Sequence, residues 1–243
     1  MQLSKRMKSI ASMVSSGNRL ADVGCDHGYL PVSLCLEGRI PGALAMDVNP
    51  GPLRRAEEHI AQYGLERYIK TRLSDGLAGL APGEVDTVVI AGMGGRLIAR
   101  ILEEGRQVCE SLRELVLGPQ SEVYGVRTWL EMNDFRIDRE DMVLEDGKYY
   151  PVIHAVPAEG GKPGRNMAEP GGKILTEEER LFGPCLLKER HPVLHRYLLR
   201  EEALRKSLTE RLKEADGARA GERRNTIEEE MRHIRAALSY YEM

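Results

Sequence analysis

Residues 20–31, Leu-Ala-Asp-Val-Gly-Cys-Asp-His-Gly-Tyr-Leu-Pro, run a strand, a turn and a helix start together. The apolar run closes at Gly24, a second glycine follows at Gly28, and Pro31 stands where the first turn of a helix tolerates proline. A chain that leaves a buried strand this way points backbone N–H groups at a helix N-terminus, where a carboxylate or phosphate is favoured. The glycines let a ligand come close to the backbone. Asp22, Asp26 and His27 add polar groups to the same pocket.

The rest of the N-terminal part repeats that unit. Strands are predicted over residues 19–24, 43–48, 68–73, 86–91 and 114–117. Helices follow from Tyr29 to Leu36, from Pro50 to about Tyr63, through Leu97 to Leu102, and through Val123 to Leu130. This alternation predicts an α/β fold with a doubly wound, mainly parallel sheet. Two strands then flank Glu145-Asp-Gly-Lys148, and Asp-Gly between strands is a hairpin signal. A parallel sheet ending in an antiparallel hairpin resembles the class I, Rossmann-like methyltransferases.

The flanks are helical. Leu3, Met7, Ile10 and Val14 predict an amphipathic helix over 3–15, with Lys5, Arg6 and Lys8 largely off its apolar stripe. Those bases form either a solvated face or part of a nucleic-acid surface. Residues 157–173, rich in Pro and Gly, read as a linker or exposed loop. Thr176-Glu-Glu-Glu179 is a capping-box pattern. A long helix is expected over about 193–215, with Leu194, Leu198, Leu204, Leu208 and Leu212 on a stripe. After a turn marked by Gly217 and Gly221, Ile227, Met231, Ile234, Leu238 and Tyr241 form a heptad-like seam. The expected organisation is a ligand-binding domain over 1–160, then a linker and a helical coiled-coil hairpin over 161–243. The hairpin either packs on itself or dimerises, or it grips a large substrate.

Composition narrows the function classes. The chain has 243 residues, 42% of them hydrophobic, enough to build a core. Its net charge of −3 means that a nucleic-acid partner requires a local basic face. Cys25, Cys35, Cys109 and Cys185 are scattered, with no zinc or disulfide spacing, which predicts a reducing, cytoplasmic setting and no metal. The N-terminus lacks the apolar core of a signal peptide, and no apolar run approaches membrane-spanning length.

Chemistry-bearing residues fall at the ends of consecutive predicted strands, the edge where open α/β sheets bind ligands. Asp47, about twenty residues beyond the glycine turn, can accept hydrogen bonds from ribose hydroxyls. Asp75-Gly76 is placed to meet an adenine's amino group. Gly92-Met93-Gly94-Gly95 lies where a transferred group would emerge. A nicotinamide dehydrogenase would share the fold and the ribose acid. Asp26 and His27 between Gly24 and Gly28 replace its G-x-G-x-x-G, and Asp26 would repel a pyrophosphate. A cationic sulfonium with an amino-acid tail meets no such repulsion, so S-adenosylmethionine fits better on charge. A non-catalytic RNA-binding scaffold on the same fold is the other competing class.

Asp-Val-Gly-Cys-Asp-His-Gly-Tyr-Leu-Pro (22–31), Met-Asp-Val-Asn-Pro-Gly-Pro-Leu (46–53), Ser-Asp-Gly-Leu (74–77) and Ala-Gly-Met-Gly-Gly (91–95) together resemble the bacterial TrmK family. The likeness extends through Glu-Asp-Gly-Lys-Tyr-Tyr (145–150), Phe-Gly-Pro (182–184) and the helical tail. It implies an S-adenosylmethionine-dependent methyltransferase acting on N1 of adenine 22 in the D-arm region of tRNA. It also implies a C-terminal coiled-coil domain that helps to hold tRNA. The cofactor positions it implies are Asp22, Gly24, His27, Gly28, Asp47, Val48, Asp75, Gly76 and Gly92. The sequence departs from methyltransferases in general at Asp26, where a second glycine is usual. It also has Ala-Gly-Met-Gly-Gly in place of the Asn/Asp-Pro-Pro-aromatic motif of N6-adenine enzymes, which agrees with a different target atom.

N1 of adenine has a free lone pair, so alignment and exclusion of water are the main tasks. Methylation leaves a cation that a carboxylate would stabilise. Asp26 is the candidate, with Tyr29 or Met93 near the base; alternatively, Asp26 only caps the following helix. Candidate phosphate contacts are Lys5, Arg6, Lys8, Arg54, Arg55, Arg96 and Arg100, and Arg196, Arg200, Arg205 and Lys206 in the tail.

Overall fold

The structure, a computed structural model, describes residues 3–158, 174–213 and 218–242. Most of the expected linker and the expected domain boundary at 160 lie outside the described residues, as does Gly217. The chain divides into two compact units, Met1–Ile174 and Leu175–Met243.

The first unit begins with α1 (Lys5–Met13), whose N-cap Ser4 accepts a hydrogen bond from the Met7 N–H. Then follow β1 (Leu20–Val23), α2 (Tyr29–Leu36), β2 (Ala43–Asp47), α3 (Pro50–Gln62), β3 (Ile69–Leu73), β4 (Thr87–Ala91) and α4 (Gly95–Glu104). A short α5 (Arg106–Cys109), not expected from the sequence, leads to β5 (Glu114–Gly118), α6 (Val123–Met132), β6 (Phe135–Glu145) and β7 (Lys148–Pro157).

The strands form one seven-stranded sheet in the order β3-β2-β1-β4-β5-β7-β6. β1 to β5 pair parallel; β7 inserts between β5 and β6, antiparallel to both. Asp146 and Gly147, both at positive φ (49° and 74°), make the tight turn between β6 and β7. The central strands are apolar on both faces because helices cover both. Ala21, Val23, Val88, Ile90, Leu115 and Leu117 join one core with Ile98, Leu102 and Trp129. Leu20, Ala45, Val89 and Val116 join a second with Ile10, Leu30, Leu53 and Ile60. β1 lies between β2 and β4. The chain therefore leaves in one direction after β1 and reaches the other side through β4, which makes β1/β4 the switch point that opens a ligand crevice.

The second unit comprises α7 (Glu177–Phe182), α8 (Pro184–Lys188), α9 (Pro192–Lys213) and α10 (Ala218–Leu238), ending in a 3-10 turn over Ser239–Tyr241. The capping box at Thr176 and Glu179 forms reciprocally. α9 and α10 run antiparallel, tied by Arg205–Glu230 at 3.0 Å and Arg235–Glu202 at 3.6 Å. The leucine stripe is only partly internal. Leu194 and Leu198 are fully buried, whereas Leu204 and Leu208 are 45% and 38% exposed. Leu204 lies about 80° around the helix from Leu194, so the seam runs past Arg205 instead. On α10, Ile227, Met231 and Ile234 are buried, and Ala237 takes the fully buried place expected for Leu238. Gly221 sits within α10, not in a turn.

Candidate active site

β1 ends at a turn held by its neighbour: the N–H groups of Gly24 and Cys25 both donate to the Met46 carbonyl, at 2.8 and 3.0 Å. Gly24, Asp26 and Gly28 all take positive φ, 77°, 49° and 66°. Three left-handed residues within five positions turn the chain sharply from strand to helix. A Cβ on Gly24 would collide with Cε of Met93, which reaches across from the β4 loop. Gly24 is therefore required twice, by its backbone angle and by that crossing. The N-cap of α2 is Gly28, without a side-chain cap bond. Asp26 does not cap the helix; its Oδ1 accepts from Arg55 Nη2 at 3.0 Å, with His27 Nε2 at 3.6 Å.

Two carboxylates set the electrostatics. Asp22 pairs in register with Ala45, and Asp47 is two residues further along β2, so both project to one face. Burial, and then the Asp47 charge, push the Asp22 carboxyl up to about 7. Asp47 is half-buried, and its Oδ1 accepts from the Asn49 N–H at 2.9 Å. A cationic group seated here would relieve a repulsion that the fold maintains. A pyrophosphate would add to it.

Beside Asp47 the edge is apolar. Val48 is 56% exposed and Leu73 61%. Leu73 pairs with Asp47 in register, so an exposed apolar side chain stands next to that carboxylate, on a surface where a planar ring can lie. Leu73 escapes a sequence reading because it looks like one more strand residue. Asp75 is exposed after β3, and Gly76 is buried with φ 55°. Gly92 is exposed at the end of β4.

The residues expected to act on the target separate into two groups. Tyr29 and His27 stack at 5.2 Å and His59 packs on Tyr29 at 4.6 Å, on the α3 side with Asp26 and Arg55. His59 Nδ1 donates to the His27 carbonyl at 2.9 Å. Met93 comes from the opposite side, over Gly24. Arg55, a candidate phosphate contact from the sequence, is instead paired with Asp26, and His59 is legible in the sequence only as its neighbour one turn on along α3, at i, i+4 spacing. Cys25 is buried in this turn, and burial raises its thiol far above the ordinary range, which removes it as a nucleophile. No cluster of three or more metal-ligating side chains occurs among the described residues.

The basic candidates differ in setting. Lys5 and Lys8 are exposed on α1. Arg6 is not on the solvated face: its guanidinium lies 4.8 Å over the Tyr150 ring, and its Nε is buried without a partner. Arg96 pairs with Glu122 at 2.9 Å, Arg100 with Glu104 at 3.9 Å, and Lys206 with Glu202 at 2.9 Å. Arg54, Arg196 and Arg200 are exposed. Arg205 is held by both Glu201 and Glu230, so its charge is already matched across the two helices.

Residues 3–153 match the model of a methyltransferase domain family. The chain is 35% identical over 215 residues to the tRNA (adenine(22)-N(1))-methyltransferase of Bacillus subtilis, covering 88% of this chain and 87% of that protein. The Streptococcus pneumoniae protein Sp1610, solved in complex with S-adenosyl-L-methionine, superposes with a TM-score of 0.81 at 34% identity, covering 98% of this chain and all of that one. M. capricolum TrmK, solved with S-adenosyl-homocysteine, also gives 0.81, at 25% identity and 99% coverage of both chains.

Proposed function

The chain belongs to the TrmK family of class I methyltransferases, and from that premise we propose that it methylates N1 of adenine 22 in the D-arm region of bacterial tRNA. The observation that carries the reading is the buried Asp22 beside Asp47, under a glycine turn that carries the acidic Asp26 where a dinucleotide-binding turn has glycine. That site selects a cationic adenosine derivative. S-adenosylmethionine is the cofactor that fits, and when bound it supplies an electrophilic methyl group on a sulfonium. Asp47 would hold the ribose, Val48 and Leu73 would cover the base beside Asp75 and Gly76, and Asp22 would face the cationic tail. Gly24, Gly28 and Gly92 keep the edge open to the ligand, and His27 lines it.

The acceptor needs no base, because the N1 lone pair attacks directly. The chain's part is to expose the Watson–Crick edge, align it and exclude water. Asp26, oriented by Arg55, is the counter-charge for the base cation, and Tyr29 and Met93 flank the base from the two sides of the turn. Lys5, Lys8 and Arg200 are phosphate contacts on this reading; Arg6 and Arg205 support them through the contacts they already make. No helix among the described residues is long and apolar enough to cross a membrane, and the cytoplasm is the compartment where unmodified tRNA is met.

Methyl transfer from labelled S-adenosylmethionine to an unmodified tRNA transcript with adenine 22, beside one with guanine there, tests the reading. Label in the first alone, recovered as N1-methyladenosine, is expected. Label in both overturns the position, and label in neither overturns the activity. In the same assay Asp26→Asn is expected to lower turnover far more than cofactor affinity.

A further inference from the structure

After β5 the chain turns through Gly118, Pro119 and Gln120 against the β4 loop. Three backbone bonds join the two loops: Gly92 N–H to Gly118 O at 3.2 Å, Gln120 N–H to Met93 O at 2.9 Å, and Gly95 N–H to Ser121 O at 2.8 Å. The fit is close, since a Cβ on Gly95 would stand 2.5 Å from the carbonyl oxygens of Ser121 and Glu122. Gln120 is thus fixed at its backbone relative to Met93, the residue that crosses to the glycine turn.

Its side chain is differently placed. The Nε2 atom lies 3.9 Å from the position a Cβ would take on Gly92, so the carboxamide sits over the β4 turn. It is solvent-exposed, and no hydrogen-bond partner engages it among the described residues. Its charged neighbour is committed, Glu122 to Arg96 at 2.9 Å, and the Ser121 hydroxyl faces Gly94, 3.1 Å from where a Cβ there would stand. On the β4–β5 side of the crevice, away from the ribose acid on β2, one uncommitted carboxamide is therefore held on a rigid backbone.

We propose that Gln120 reads the Hoogsteen edge of the target adenine, Nε2 donating to N7 and Oε1 accepting from the N6 amino group. The assignment rests on the reading that N1 is the atom methylated. N1 must stay uncovered for attack, so the base has to be identified from another edge. A carboxamide matches adenine's acceptor N7 and donor N6 together, whereas guanine presents two acceptors, N7 and O6, and sets O6 against Oε1. The contact also strengthens during reaction. As N1 forms its bond to the methyl carbon, positive charge spreads through C6 to N6, and the N6–H becomes a better donor to Oε1. Loss of the carboxamide should then fall on kcat more than on KM.

The test is atomic substitution on both partners, using the full chain and tRNA transcripts carrying adenine or 7-deazaadenine at position 22. With the unaltered protein, removing N7 is expected to lower kcat/KM on the order of ten-fold. Gln120→Leu should lose a similar factor on adenine, be indifferent to N7, and keep its S-adenosylmethionine affinity. Gln120→Glu retains an acceptor for N6 but sets its other carboxylate oxygen against the N7 lone pair, so it should show no loss on removal of N7 and do at least as well on 7-deazaadenine. An equal N7 penalty in all three proteins, or full activity of Gln120→Leu, overturns the assignment. If the unaltered protein fails on the adenine transcript itself, the N1-methylation reading fails, and the assignment falls with it.

Discussion

Asp22 shows how the site is set up by a single side chain. Its carboxyl is buried and near Asp47, and it titrates at about 7 in place of 3.8. A raised carboxyl means that the folded state binds more protons than the unfolded state between those values. Stability therefore falls as pH rises from about 4 to 7, then levels off. The full effect is on the order of a few kcal/mol, and Asp22→Asn should be spared it. Urea unfolding at pH 5 and pH 8 is expected to show the variant gaining on the unaltered protein at the higher pH. The same variant should bind S-adenosylmethionine at least about ten-fold more weakly, because a cationic tail loses its partner. In the unaltered protein, cofactor affinity should rise through pH 7 as the carboxylate forms. A pH-independent affinity would remove Asp22 from the cationic-tail subsite.

At the scale of elements, a second buried charge group ties the opposite edge of the sheet together. Glu114 opens β5 and accepts from Ser15 N–H at 2.9 Å, Ser15 Oγ at 2.5 Å, Thr87 Oγ1 at 2.6 Å and His154 Nε2 at 2.9 Å. His154 Nδ1 lies 2.5 Å from Asp138 Oδ1 on β6. One carboxylate thus connects the segment after α1 with β4, β5 and β7. Burial raises its carboxyl, but the bonds from His154, Ser15 and Thr87 outweigh that and bring it down to about 2. A lowered carboxyl stabilises the fold above its unfolded value of 4.5, and that contribution disappears as pH falls toward 2. Glu114→Ala should destabilise the protein by about 3–5 kcal/mol at neutral pH, since His154 and its neighbours stay buried without their acceptor. Denaturant titration would measure this. Cofactor affinity of the folded variant is expected to be unchanged, because the site lies at the other end of the strands.

For the whole molecule, the chain divides after residue 174. The sheet, both its cores and every proposed cofactor position lie in the first unit, while α9 carries Arg196, Arg200 and Lys206 in the second. A chain ending at residue 174 is expected to bind S-adenosylmethionine normally. Its tRNA affinity should drop, with a shallower dependence on salt, because fewer phosphates are neutralised. Equal salt slopes for the two lengths, measured by filter binding from low to moderate salt, would place the tRNA surface wholly on the first unit.

The fold was largely legible in the sequence because each β-to-α step carries local signals. Apolar runs end in glycine or aspartate, Pro50 opens α3, and Asp146-Gly147 closes a hairpin whose two positive φ angles suit those residues. Spacing alone puts Asp22 beside the end of β1, Asp47 at the end of β2 and Asp75 just past β3. Tertiary structure decided what spacing cannot. The order in which β7 enters beside β5 depends on which apolar faces meet, as does the choice of Ala237 over Leu238 in the α10 seam. Which charges stand free and which are matched is a property of neighbours distant in sequence: Arg6 lies on Tyr150, Arg55 holds Asp26, and Arg205 bridges two helices. Local pattern determines the elements and the side chains at their ends. Only three-dimensional contact determines burial and pairing: burial brings Asp22 to titrate near neutral pH, and a surface ion pair matches Arg96 with Glu122 while the Gln120 carboxamide beside them stays uncommitted.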